Sequence, residues 1–205
     1  MKVLKATKAN ILAAGKIVRT GGLVVYPTET VYGLGCDPLN VESVQRLLDV
    51  KGERNKPLPI LISNIENAEK IAFISTNGKK LAAKFWPGAL TMVFTKKAVL
   101  PDLVTFGWNS VGLRIPDNGV ALDLIRLSGG FLVGSSANIS SEAPPRDVEE
   151  LSKELEGLVD AILDGGATAQ GMPSTVVDLT CEKPKILREG PISLEMLLAS
   201  LALSD

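Results

Sequence analysis

The sequence contains no histidine in its 205 residues. This absence excludes histidine-dependent catalytic triads, metal sites with histidine ligands and proton transfer by an imidazole. The only two cysteines, Cys36 and Cys181, match no spacing of a metal or redox site, so we expect buried free thiols. Any chemistry must therefore use carboxylates, amines, guanidiniums, hydroxyls, backbone amides or a bound cofactor.

Long hydrophobic runs and an excess of one charge are also lacking. No uninterrupted apolar run exceeds four residues, which excludes a membrane-spanning segment, and lysines rather than an apolar signal core follow the start. We therefore expect a cytoplasmic protein. Lys and Arg number 22 against 23 Asp and Glu, so no overall basic charge indicates a nucleic-acid partner.

The common nucleotide-binding and hydrolase signatures are missing as well. Gly166 and Gly171 have the spacing of a phosphate-binding loop, but Met172 and Pro173 occupy the positions of its lysine and hydroxyl residue. No GxGxxG follows a strand, and no GxSxG elbow is present. The sequence therefore predicts neither a Rossmann dinucleotide site nor an α/β-hydrolase.

Apolar periodicity predicts short strands alternating with helices. Thr7, Asn40 and Ser193 are expected to cap helices, and Asp147 with Glu150 forms a capping-box-like start of a helix through Leu155. Other helices are expected at 65–72, 77–85 and 120–127, and strands at 23–26, 58–62, 90–95, 111–115, 131–134, 159–163, 175–179 and 185–187. This order predicts one layered α/β (α+β-like) domain, 1–205, around one mixed sheet.

Polar residues follow the first apolar strand directly, in the segment PTETVYGLG at 27–35. Two threonines and a carboxylate leave the strand, and two glycines allow the backbone to approach a ligand closely. An ordinary glycine-rich turn explains the same residues equally well.

Three cations, Lys51, Arg54 and Lys56, precede the next apolar strand. They can converge on one anion such as a polyphosphate. The commoner explanation of such a run is a solvated charge cluster at a helix end.

Polar and charged residues also stand at the ends of later strands. Ser110 and Arg114 flank one strand, GSSAN at 134–138 follows another, and Arg146, Ser174 and Arg188 flank further elements. These side chains suit a small polar ligand, whereas a surface ion pair and an Asx or Ser turn are the simpler explanations.

Seven segments in order resemble one family: PTETVYGLG (27–35), the cations with PLPILI (51–62), PGALT (87–91), VGLRIP (111–116), SSANIS (135–140), STVVDL (174–179) and ILREG (186–190). Together they look like the YrdC-like threonylcarbamoyl-AMP synthase family, in a short, single-domain form. The resemblance implies a twisted, open sheet of parallel and antiparallel strands with flanking helices and a deep basic cleft. It also implies condensation of L-threonine, bicarbonate or carbon dioxide, and ATP into threonylcarbamoyl-AMP with release of pyrophosphate.

The resemblance also implies residue roles. L-Threonine would be held by Thr30, Arg114, Ser136 and Ser174. ATP would be held by Lys51, Arg54, Lys56, Ser110, Asn138, Arg146 and Arg188, with Lys51 and Arg54 also catalytic. Mg²⁺ would be carried by ATP without a metal site of the protein. A tRNA threonylcarbamoyltransferase complex would then use the product to modify adenosine-37 of tRNA.

One position departs from the usual sequence of the family. Glu53 stands where the family usually has the arginine of Lys-x-Arg, so we expect a shifted loop in which Arg54 takes that role.

Two other functions stay open. A module that binds double-stranded RNA or tRNA would need a broad basic surface and base-stacking aromatics, yet aromatic residues make up only 4%. An RNA-binding module of the same fold and a paralogue with another carbamoyl-adenylate substrate are the alternatives, and weak RNA binding beside the main activity also stays open.

Overall fold

The computed structural model describes residues 3–52, 56–139, 143–151 and 153–202. The helices are α1 (Lys8–Arg19), α2 (Val41–Lys51), α3 (Ile65–Ile71), α4 (Thr76–Phe85), α5 (Asp102–Thr105), α6 (Gly119–Leu127), α7 (Lys153–Leu158) and α8 (Leu194–Ala202). The strands are β1 (Val3–Lys5), β2 (Val24–Tyr26), β3 (Gly33–Gly35), β4 (Ile60–Ile62), β5 (Ala72–Phe73), β6 (Leu90–Lys96), β7 (Ser110–Arg114), β8 (Phe131–Val133), β9 (Ser135–Ser136), β10 (Ala161–Asp164), β11 (Thr175–Asp178) and β12 (Lys185–Arg188). No described helix is long and apolar enough to cross a membrane.

Side-chain caps begin three helices where the sequence predicts them. The side-chain oxygens of Thr7 and Asn40 accept hydrogen bonds from the backbone N–H groups three residues later, in α1 and α2. Ser193 caps α8 in the same way, through the N–H of Met196. Each cap satisfies an N–H group that has no partner inside its helix, so these three predicted starts are confirmed.

The predicted helix start at Asp147 is wrong. Asp147 accepts a hydrogen bond from the N–H of Glu150 at 3.0 Å, which is half of a capping box. The Glu150 carboxylate, however, accepts from the N–H of Arg146 at 2.7 Å, and turns and bends follow. The helix of this region, α7, begins only at Lys153. The same local hydrogen bonds therefore close a turn instead of starting a helix.

The strands form two mixed sheets, whereas the sequence predicts one. The smaller sheet has the order β1-β10-β2-β3-β9, and the larger has the order β12-β11-β6-β7-β4-β8 with β5 paired to β6. Parallel pairs occur in both, for example β1 with β10 and β11 with β6. The mixed α/β class is confirmed. The single sheet is wrong because β1, β3 and β9 are too short for a readable apolar pattern, yet they extend β2 and β10 into a separate sheet.

The two sheets meet where the chain passes from β8 to β9. β8 is the edge of the larger sheet and β9 the edge of the smaller, with only Gly134 between them. Gly35 on β3 has no room for a side chain, because a Cβ there would lie 2.7 Å from the carbonyl oxygen of Val133. A Cβ on Gly33 would lie 2.8 Å from the ring of Tyr26. These glycines, expected to open the backbone to a ligand, are needed for packing between strands.

One hydrophobic cluster contains residues of both sheets. Val25 of β2, Ile60 of β4 and Met92 of β6 are fully buried members of it. Cys36 belongs to the same cluster, and burial raises the pKa of its thiol to about 12. Cys181 is also a free thiol but is exposed, so the expectation of a buried thiol holds for Cys36 alone.

Candidate functional site

Arg114, the last residue of β7, has a buried guanidinium surrounded by polar groups. Its Nε donates to the carbonyl oxygen of Gly88 at 3.1 Å. Its Nη2 donates to Glu29 Oε2 at 2.6 Å and to Thr30 Oγ1 at 3.1 Å. The side chains of both Arg114 and Glu29 are only 8% exposed. These contacts hold the guanidinium in one orientation at the end of the strand.

Thr28 organises the loop that carries Glu29 and Thr30 to this arginine. The hydroxyl of Thr28 donates to the carbonyl oxygen of Val31 at 2.7 Å and accepts from the N–H groups of Thr30 and Val31. The two threonine hydroxyl oxygens lie 2.8 Å apart. A side chain therefore supplies hydrogen bonds that this loop cannot obtain from a strand partner.

Arg188, the last residue of β12, forms a second arginine–hydroxyl cluster. Its Nε and Nη2 donate to the carbonyl oxygen of Ser174 at 3.0 and 2.8 Å, and Nη2 also lies 3.1 Å from Ser174 Oγ. Ser174 Oγ is 2.8 Å from Thr91 Oγ1. Gly190 permits this approach, because a Cβ there would lie 2.3 Å from the backbone nitrogen of Thr175.

Strand register brings the two arginine clusters to one region. Arg188 pairs with Val176 on β11, and Val176 pairs with Thr91 on β6. Arg114 lies on β7, the next strand of the sheet. Burial, and then the positive charge of Arg114, lower the pKa of Arg188. Two guanidiniums that act on each other electrostatically form a site suited to an anionic group.

Lys51, the last residue of α2, is buried against the turn that follows β9. Its side chain is among the largest that are fully buried. The ammonium donates to the carbonyl oxygen of Ser136 at 2.8 Å, to the carbonyl oxygen of Asn138, and to Asn138 Oδ1 at 3.3 Å. The Lys51 ammonium thus holds the backbone of the 136–138 turn. Its positive charge is also favourable at this end of α2, because the C-terminal end of a helix carries partial negative charge.

Arg146 lies at the surface but is linked to Glu29 through the loop 165–171. Its side chain is 60% exposed and lies 3.1 Å from Glu150, whose carboxylate raises the pKa of Arg146. The N–H of Thr168 donates to the carbonyl oxygen of Arg146, and the N–H of Gln170 donates to that of Glu29. This loop therefore joins an exposed cation to the buried ion pair.

Across the described ranges, no group of three or more Asp, Glu or Cys residues is placed to hold a metal ion. The site consists of cations, hydroxyls and one buried carboxylate.

Comparison with known proteins identifies the family. The Sua5/YciO/YrdC family, described as telomere recombination, matches residues 16–190. The chain belongs to this family.

Individual relatives in the Sua5/YciO/YrdC family have similar sequences and the same fold. A threonylcarbamoyl-AMP synthase of Pyrococcus abyssi is 41% identical over 186 residues, which are 90% of this chain and 54% of that protein. A threonylcarbamoyl-AMP synthase of Bacillus subtilis is 36% identical over 96% of this chain and 58% of that protein. The chain thus spans little more than half the length of these two relatives. The crystal structure of P. abyssi Sua5 complexed with L-threonine superposes with a TM-score of 0.94 at 37% identity, covering 98% of this chain and 61% of that one.

Within this family fold, most of the predicted site residues lie in three groups. Thr30 lies with Arg114, Ser174 with Arg188, and Ser136 with Lys51 and Asn138. Arg146 is at the surface and is linked to the first group through backbone hydrogen bonds. The roles of all these residues stay predictions.

Two described residues among those predicted, Ser110 and Lys56, are not brought into these groups. Ser110 begins β7 and therefore lies about 13 Å along the strand from Arg114. Lys56 is exposed, shortly before β4. Arg54 and Glu53 lie outside the described residues, so the expected loop shift stays a prediction.

Sequence reasoning did not assign roles to Glu29 and Thr91. Both stand in segments that carry the resemblance, PTETVYGLG and PGALT. The signal for Glu29 was a carboxylate directly after a buried strand, close to polar residues at other strand ends. Only the structure reveals that Glu29 pairs with Arg114 and that Thr91 contacts Ser174.

Proposed function

We propose that this protein is an L-threonylcarbamoyladenylate synthase. It condenses L-threonine, bicarbonate or carbon dioxide, and ATP into threonylcarbamoyl-AMP and releases pyrophosphate. The observation that carries the proposal is the close superposition with P. abyssi Sua5 complexed with L-threonine, together with the buried Arg114 cluster. The names of two relatives, both threonylcarbamoyl-AMP synthases, favour this activity over an RNA-binding module or another carbamoyl-adenylate substrate.

The two arginine clusters fit an amino acid with a hydroxylated side chain. Arg114 provides a guanidinium for its carboxylate. Thr30, Ser136 and Ser174 provide small polar groups for the rest of the molecule. Their hydrogen bonds place Arg114 and Arg188 before any ligand arrives, which reduces the ordering that binding requires.

The remaining cations fit ATP, and the reaction needs no histidine. The neutral amine of threonine adds to carbon dioxide with loss of a proton, or to bicarbonate with loss of water. An oxygen of the resulting carbamate then attacks the α-phosphorus as pyrophosphate leaves. Such a step depends on positioning and on neutralising phosphate charge. We assign ATP to Lys51, Arg54, Lys56, Ser110, Asn138, Arg146 and Arg188, with Lys51 and Arg54 as the catalytic cations. Mg²⁺ arrives with the triphosphate, which supplies its oxygen ligands.

A partner enzyme consumes the product, threonylcarbamoyl-AMP. We assign that role to a tRNA threonylcarbamoyltransferase complex that modifies adenosine-37, which places the reaction in the cytoplasm with tRNA. Weak RNA binding is a minor part of this proposal. The hydrophobic cluster shared by both sheets supports a single domain for the chain.

The test measures pyrophosphate and the mass of the product after mixing the protein with ATP, Mg²⁺, bicarbonate and L-threonine. We expect pyrophosphate release only when threonine and bicarbonate are both present, with a product of the mass of threonylcarbamoyl-AMP. Omission of each reactant in turn is the control. Equal pyrophosphate release without threonine contradicts the proposal and indicates a simple ATP-hydrolysing enzyme.

A further inference from the structure

Glu29 differs from every other acidic residue that the structure describes. It is the only acidic side chain among the described residues that is buried, with 8% of its surface exposed. Other ion pairs between arginine and a carboxylate, such as Arg46–Asp160 and Arg126–Asp123, have both partners at the surface. A buried carboxylate is costly unless its charge and its hydrogen-bonding capacity are both satisfied.

Only one of the two carboxylate oxygens of Glu29 is satisfied. Oε2 accepts from Arg114 Nη2 at 2.6 Å. Oε1 is buried and has no hydrogen-bond partner in the described structure. A buried, charged acceptor without a donor is rare in proteins and requires an explanation. Ligand binding beside Arg114 provides a donor at this position.

Arg114 has hydrogen-bond donors that no described residue uses. Nε and Nη2 donate to Gly88, Glu29 and Thr30. No described residue accepts a hydrogen bond from Nη1. One buried ion pair therefore leaves two donors on its cation and one acceptor on its anion for a ligand.

An α-amino acid matches this arrangement through its own charges. Its carboxylate and its ammonium are bonded to the same carbon, so opposite charges stand side by side, as they do in the Arg114–Glu29 pair. Placed against the pair, the carboxylate faces the guanidinium and the ammonium faces the carboxylate. Both new contacts are charge-assisted hydrogen bonds in a buried setting.

We propose that Glu29 binds the α-ammonium of the amino-acid substrate through Oε1, while Arg114 binds its carboxylate. This inference rests on the proposed function, because it assigns the recognition of the amine to the same threonine site. Glu29 is then a substrate-contacting residue that selects amino acids over hydroxy acids. It also holds the nitrogen, which must lose a proton before its lone pair can attack the carbon source.

The experiment compares two ligands on two proteins by calorimetry in the absence of ATP. The ligands are L-threonine and (2S,3R)-2,3-dihydroxybutanoate, in which a hydroxyl replaces the ammonium. We expect wild-type protein to prefer threonine by about 10- to 100-fold. In Glu29→Gln, threonine affinity should fall by about that factor, while affinity for the dihydroxy acid changes by less than about threefold. Asp123→Asn removes a carboxylate from an exposed arginine pair and should change neither affinity.

The outcomes distinguish a Glu29 that binds the substrate ammonium from a Glu29 that only holds Arg114. An equal loss of both ligands in Glu29→Gln means that Glu29 acts only by holding Arg114, and it overturns the inference while the proposed function stands. Failure of the wild-type protein to bind threonine overturns the proposed function and the inference together. Should Glu29→Gln not fold, the wild-type comparison decides: a preference of about tenfold or more supports recognition of the ammonium, and equal affinities overturn it.

Discussion

Two arginine–glutamate pairs in this protein have similar chemistry and different surroundings. Arg114 and Glu29 lie 2.6 Å apart, and each side chain is 8% exposed. Arg146 and Glu150 lie 3.1 Å apart, four residues from each other in sequence, with exposures of 60% and 38%. The first pair joins β7 to the loop after β2, across 85 residues of sequence. The second closes a local turn.

The two pairs differ in how freely the cation can reorient: the exposed Arg146 guanidinium can turn, whereas the buried Arg114 guanidinium is held in place. Water and salt screen the exposed pair, so its cation can turn toward an arriving polyphosphate at small cost. The buried pair lacks that screening, and hydrogen bonds to Gly88 and Thr30 hold its guanidinium in place. A small substrate that must be oriented fits the buried pair, and a large, flexible anion fits the exposed cations.

The largest expected effect is that of Arg114→Met on stability. The substitution leaves Glu29 buried without a cation, so we expect the free energy of unfolding to fall by about 3–5 kcal/mol. Urea unfolding followed by circular dichroism measures it. Arg114→Met combined with Glu29→Gln removes both charges and should recover about half of the loss. A double variant no more stable than Arg114→Met would contradict the role of the unpaired charge.

Lys51→Met tests whether a buried cation that donates to backbone carbonyl oxygens behaves like Arg114. The variant removes the ammonium bound by the 136–138 turn, and we expect a loss of about 2 kcal/mol because buried carbonyl oxygens lose a charged donor. Turnover should fall with it, since this turn carries Ser136 and Asn138. Lys16→Met, on the exposed face of α1, is the matched control. Unchanged stability of Lys51→Met would show that the turn holds itself in place.

Lys56→Ala extends the comparison to an exposed cation. We expect ATP affinity to fall by about tenfold and threonine affinity to stay unchanged, because a charge-assisted contact to a phosphate is lost. Calorimetric titration with each ligand separates the two effects, and Lys16→Ala serves as the control. Equal weakening of both ligands would remove the distinction between the buried and exposed cations.

The smallest effect is expected for Glu150→Gln. Because its carboxylate is exposed and its ion pair is screened, the urea midpoint should match that of the wild type. Loss of the carboxylate frees Arg146, so ATP affinity should stay equal or rise slightly at low salt. A midpoint shift as large as that of Arg114→Met would mean that burial is not what distinguishes the two pairs.

Local sequence determined most of the elements and their starts. The caps at Thr7, Asn40 and Ser193 depend on one side chain and an N–H group three residues away, so residue type and spacing are sufficient. Asp147 is an exception, because a local hydrogen bond there does not start a helix. Its hydrogen bond with Glu150 forms as expected, but the Glu150 carboxylate turns to Arg146 and no helix follows directly.

The sequence by itself also placed the cations, hydroxyls and glycines in seven ordered segments, which were enough to indicate the family. Which of these side chains meet depends on the fold. Strand register places Arg188 and Thr91 in one row beside Arg114, and Glu29 reaches Arg114 from a different sheet. Such partners are distant in sequence, and the position of each depends on how strands pair. Burial, which sets the strength of the Arg114–Glu29 pair and leaves Glu29 Oε1 without a donor among the described residues, is likewise a property of the packed chain.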